Sequence, residues 1–114
     1  MLVNADCTLY EAGTCIRHEL HDVYWNDSRG RTVARGGIQI SDSVIVYVYE
    51  SAYVPQAGDI IVCGITDFVF DAQDERSMSA SMKAFRAAHP DFAVVKNVQD
   101  ARYGGLPHME LIAR

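Results

Sequence analysis

The sequence is short of cysteine, short of positive charge and without a long apolar run, and each shortage narrows what the chain is. Its three cysteines, Cys7, Cys15 and Cys63, are an odd number at wide spacing with no Cys-x-x-Cys pair. They lack the pattern of a secreted disulfide framework and read as reduced, half-buried thiols. No stretch reaches the ~20 apolar residues that a membrane-spanning helix needs. The N-terminal residues MLVNADCTLYEAG carry neither the positive leader nor the apolar segment of a signal peptide, so the expectation is synthesis in the cytosol and no membrane partner. With 10 Lys and Arg against 15 Asp and Glu, the net charge is −5. That balance argues against a surface devoted to nucleic acid, which needs clustered cations to neutralise phosphates, and leaves only a local basic patch open. There is no internal repeat and no low-complexity tract.

What is present is an ordinary globular composition, 49% hydrophobic and 22% charged over 114 residues. A chain of this length buries roughly two-thirds of its unfolded surface, enough for one core, so residues 1–114 are expected to form a single β-rich domain. From Val3 to Tyr10, the residues Val3, Ala5, Cys7 and Leu9 alternate with polar neighbours, the period of a half-buried strand. After the turn Glu11–Thr14, the alternation of Ile16, His18 and Leu20 passes to Val23 and Trp25 on the opposite parity. A strand whose parity switches requires an extra residue, so a β-bulge is predicted near His21–Asp22. Ser43 to Tyr49 (SVIVYVY) is continuous in β-branched and aromatic residues, as in a strand covered on both faces. Ile60 to Phe70 reads as a further strand, bent at Gly64.

Between Ser77 and Ala88 the period changes: Met78, Met82 and Phe85 recur at helical spacing, Asp74 or Ser77 can cap the start, and His89-Pro90 ends it. Phe92 to Val98 and His108 to Ala113 complete the set as two last strands, separated by the turn-rich residues 102–107. About six short strands with one amphipathic helix favour a small antiparallel barrel or sandwich over a parallel sheet, which needs a helix at each crossover. The helix is expected to plug one end or to pack on the open side.

Candidate chemistry is sparse. His18-Glu19-Leu20-His21 groups two imidazoles and a carboxylate, yet a metalloprotease pair is spaced by four on a helix, and residues three apart on a strand face opposite ways unless a bulge intervenes. Solvated polar groups on a surface strand are the plainer reading. There is no Gly-x-Ser-x-Gly elbow, and Cys63 lies in an apolar run that suits a core residue. Asp67, Asp71 and Asp74 lack the glycine and terminal glutamate of a calcium loop. The expectation is no catalytic residue, no metal and no cofactor. Arg29, Arg31 and Arg35 place three of the chain's ten cations within one turn-rich stretch, either as an exposed charged loop or as a contact for phosphates or an acidic surface. Tyr47, Tyr49 and Tyr53 suit a barrel interior or an interface equally well.

Several segments occur together in a familiar order. Tyr24-Trp25-Asn26-Asp27-Ser28-Arg29-Gly30, the apolar strand Val44 to Val48, Gly58-Asp59-Ile60-Ile61-Val62-Cys63-Gly64 and Gly104-Gly105-Leu106-Pro107-His108-Met109 resemble small phage and prophage proteins of the head-tail region. The resemblance runs from about Asn4 to the end. It departs from the family pattern in a longer 72–88 region and in a last strand, MELIAR, that lacks the tryptophan often found after the His-Met pair. The resemblance implies a non-enzymatic, β-barrel-like connector or minor capsid subunit that assembles in a ring between portal and tail, in the host cytoplasm and then in the virion. Its implied partners are other phage structural proteins and further copies of itself, with incidental DNA contact. The residues expected at such contacts are Arg29, Arg31, Arg35, Tyr24, Trp25 and Tyr103. The alternatives are a small-molecule-binding β-barrel, recognisable by an apolar cavity, and a His-dependent enzyme in which His18, His21 and a carboxylate converge.

Overall fold

A computed structural model describes residues 3–29, 43–49, 51–71, 73–100 and 107–114. Over these described residues the chain forms six strands, β1 (Ala5–Tyr10), β2 (Arg17–Asp27), β3 (Val44–Val48), β4 (Ile60–Cys63), β5 (Ala93–Asp100) and β6 (Met109–Ala113), and one helix, α1 (Glu75–Ala88), between β4 and β5. Every neighbouring pair is antiparallel, and the order β1-β2-β3-β6-β5-β4 closes into a barrel. The mainly β barrel with one helix expected from the sequence is the fold.

Strand alternation divides the apolar residues between two cores. Inward-facing Cys7, Leu9, Leu20, Val23, Trp25, Val44, Val46, Val48, Ile61, Val95, Met109 and Leu111 fill the barrel. A six-stranded barrel is narrower than the eight-stranded ones whose interiors are already filled by side chains, and here these residues pack together as one cluster. The outward-facing residues of β1 and β4, Tyr10, Ile60 and Val62, form a second core with Phe70, Phe85, Met78 and Met82. Helix α1 therefore lies across the outer face of β1 and β4. Asp74 caps it by accepting from the Ser77 N–H at 2.7 Å, and the His89 N–H closes its last turn on the Phe85 carbonyl. Phe85 is completely buried, which contributes about 1.5–3 kcal/mol.

The predicted bulge is present. The β1–β2 register passes from Cys7↔Leu20 to Ala5↔Val23, so His21 and Asp22 together oppose Asp6. Asp22 takes φ +56° and its N–H bonds the Asp6 carboxylate at 2.9 Å, and Val23 and Trp25 thereby turn inward. Two expectations are corrected. Ile60 to Phe70 is not one bent strand: β4 stops at Cys63, because Gly64 at φ +89° turns the chain off the ladder. Side chains hold residues 64–68 in place, with the Thr8 hydroxyl donating to the Gly64 carbonyl and accepting from the Thr66 N–H, and Tyr10 Oη donating to the Phe68 carbonyl at 2.7 Å. Nor is β3 covered on both faces, since Ile45 and Tyr47 are only half-buried on the side away from the barrel interior.

Candidate interaction cleft

The bulge also shapes the surface. Beyond it β2 bonds to β3 from Tyr24 to Asp27, but its first half, Arg17 to Asp22, has a ladder only with β1. The chain leaving β3 crosses toward β4 through residues 51–53, and between this crossing and β2 opens a cleft of about 640 Å³. Its lining includes His18, Glu19, His21, Asp22, Tyr49 and Tyr53, with Leu20, Ala52 and Pro107 as apolar wall.

Main-chain geometry gives this wall its chemistry. Across the β1–β2 turn the Glu11 N–H bonds the Ile16 carbonyl at 3.0 Å, and the register then runs evenly from Tyr10↔Arg17 to Cys7↔Leu20. Antiparallel ladders alternate, so His18 and Leu20 spend their main-chain groups on β1, and Arg17, Glu19 and His21 direct theirs the opposite way. Among the described residues no main-chain bond joins Arg17, Glu19 or His21 to the 51–53 crossing. Among the described residues, a closed barrel thus retains a short open edge, facing the cleft.

One end of the cleft is rigidly built. His18 Nε2 lies 2.6 Å from Glu11 Oε2, and its ring stacks on Tyr53 with centroids 4.4 Å apart and planes 9° from parallel. Tyr53 Oη donates to Asp59 Oδ2 at 3.0 Å. Asp59 is wholly buried and also accepts from the N–H groups of Ala12 and Gln56, both at 2.8 Å. Burial, reinforced by the hydrogen bond to Asp59 and the Asp59 and Glu11 charges, pushes the Tyr53 phenol up to about 12. At the other end His21 is largely exposed, 3.3 Å from Glu19 and 3.7 Å from Asp6. Arg17 bonds Glu19 at 2.9 Å and the Thr66 carbonyl through Nε, and holds the Glu19 carboxyl below the usual carboxylate range.

The two histidines line one cleft without converging. The bulge lies after His21 rather than between it and His18, so His18 keeps the inward parity of Leu20 and His21 faces outward. Each imidazole has its own carboxylate, and no cluster of three or more His, Cys, Asp or Glu poised for a metal occurs among the described residues.

The residues singled out in the sequence are dispersed. Trp25 is in the barrel interior, where it offers little surface to a partner. Tyr24 lies on the outer wall and begins an aromatic stripe that continues through Tyr47 (5.3 Å) and His108 (5.0 Å) to Tyr49 in the cleft wall (6.1 Å). Arg29 grips both oxygens of Asp27 and donates to the carbonyls of Phe92 and Asp91, which ties the end of β2 to the start of β5. Arg31, Arg35 and Tyr103 lie outside the described residues. Sequence reasoning missed Glu11, Asp59 and the open edge. The Gly58-Asp59 pair was the available signal, since a turn aspartate with no exposed task commonly satisfies local N–H groups.

Over residues 2–114 the sequence matches the model of a family of unknown function, DUF6751. The chain belongs to that family. No curated protein and no solved structure matches this DUF6751 member. In it, the Tyr-Trp-x-Asp and Gly-Asp segments serve the barrel itself: the first pairs β2 with β3, and the second supplies Asp59 and opens β4.

Proposed function

We propose that this protein is a non-enzymatic structural or adaptor subunit of a phage or prophage head-tail assembly, and that it works by binding neighbouring protein subunits. The observation that carries the reading is the main-chain edge of β2 left open among the described residues of a closed barrel, continued along the outer wall by the Tyr24–Tyr47–His108–Tyr49 stripe. Open edges are usually blunted, and aromatic residues are enriched where proteins meet. Arg31 and Arg35, close together in the sequence, add local positive charge to an acidic chain and fit the same reading. The apolar side chains clustered inside the barrel speak against a ligand held there. Self-association by one head-to-tail contact repeated around an axis, with a rotation that closes, makes a ring, the form such an assembly takes.

The test is light scattering and electron microscopy of the purified chain, alone and co-expressed with the products of adjacent genes. A complex of defined mass with a neighbouring structural protein, and the chain in purified particles by mass spectrometry, are the expected results. A chain that stays monomeric with every neighbour and is missing from particles overturns the proposal.

A further inference from the structure

An open edge specifies its ligand more narrowly than an apolar patch does. The main-chain groups of Arg17, Glu19 and His21 recur every second residue, the repeat of an extended strand, and a rounded small molecule does not match it. The bulge at His21–Asp22 ends the edge, so the site is short. A strand laid along it has two faces. Side chains opposite His18 and Leu20 point inward, toward Leu20, Ala52 and the Tyr53 ring. Side chains opposite Glu19 and His21 point outward, where Glu19, Asp6 and Asp22 place three carboxylates and the one Lys or Arg there among the described residues, Arg17, is already engaged by Glu19 and the Thr66 carbonyl.

We propose that the cleft edge of β2 binds an extended segment of a partner polypeptide by strand addition, and that the segment alternates apolar residues with Lys or Arg. This rests on the assembly reading only in taking the partner to be a protein. Main-chain bonds to Arg17, Glu19 and His21 supply affinity and the outward carboxylates supply selection, because like charges across an interface are costly.

Isotope-labelled protein is titrated with three synthetic peptides: one alternating valine and lysine, one alternating valine and glutamate, and the lysine peptide with a central proline. The lysine peptide is expected to shift the amides of Arg17, Glu19 and His21 and to slow their solvent exchange. The glutamate peptide binds about ten-fold more weakly or worse, and the proline, which removes a donor, abolishes the pattern. In Glu19→Lys, an exposed change that keeps the fold, the preference between the charged peptides narrows or reverses. Shifts confined to the Tyr47–His108 stripe, equal binding of the acidic peptide, or no shift at millimolar peptide overturns strand addition. A chain that joins its neighbours yet ignores these peptides leaves the assembly reading standing and removes this one; peptide binding without assembly does the reverse.

Discussion

Replacing Asp59 with alanine removes the anchor that fixes the Tyr53 side of the cleft to the barrel. The carboxylate accepts three hydrogen bonds, from the Ala12 N–H, the Gln56 N–H and Tyr53 Oη, and the residue is wholly buried. A donor stripped of a buried partner costs about 1–3 kcal/mol. Ala12 and Gln56 are themselves exposed residues that water can reach, so the low end applies to each, and the sum is roughly 3 kcal/mol. In a domain of this size that lowers Tm by about 12 °C or more. Asp59→Asn retains an acceptor for Ala12 but turns an amide N–H₂ toward the Gln56 N–H, at about half the cost. Urea unfolding followed by the fluorescence of Trp25, the one tryptophan, measures both variants. An alanine variant within about 0.5 kcal/mol of the parent, or an asparagine variant less stable than the alanine one, refutes the reasoning.

The bulge gives a second test: Asp22→Val forces a β-branched residue into φ +56° and costs about 1–2 kcal/mol, whereas Asp22→Gly is tolerated, as paired melts will show. Deleting Asp22 leaves Leu20, Val23 and Trp25 on the inward parity, so the variant is expected to fold, with narrower separation between β2 and residues 51–53 and weaker peptide binding. Phe85→Ala opens a cavity under α1 and destabilises by about 3–5 kcal/mol, read from the urea midpoint. The Tyr53 phenol, ordinarily 10.0 and raised to about 12 in the fold, contributes stability that is whole below pH 10 and is lost as pH climbs toward 12. Tyr53→Phe flattens that alkaline loss in pH-dependent melts. Asp74 acts in the opposite direction: helix N–H groups hold its carboxyl below 3.8, so its contribution is present above that pH and falls away in stronger acid, and Asp74→Asn reduces the acid dependence.

Elements governed by period were legible in the sequence. The alternation of Val3 to Leu9, the helical spacing of Met78, Met82 and Phe85, and the parity switch between Leu20 and Val23 each correspond to β1, α1 and the bulge. The misread elements were decided by contacts distant in sequence. The apolar run after Gly64 has strand composition, but the Thr8 hydroxyl and Tyr10 phenol, some 58 residues away, satisfy it outside any ladder. The run in β3 is uniformly apolar, yet its outer face leaves Ile45 and Tyr47 half-buried, with the Tyr24 and His108 rings beside Tyr47. The candidate site was half legible. His18-Glu19-Leu20-His21 drew attention as a group of ligands, but its importance is in main-chain direction, which side-chain identity does not encode, and the partners Glu11 and Asp59 come from other turns.

Amide hydrogen exchange of the isolated protein, resolved residue by residue along β2, tests the open edge most directly. The N–H groups of His18 and Leu20 are expected to exchange slowly, and those of Arg17, Glu19 and His21 as fast as a solvated turn. Slow exchange at Glu19 and His21 equal to that of Leu20 would show the edge to be paired and contradict the account.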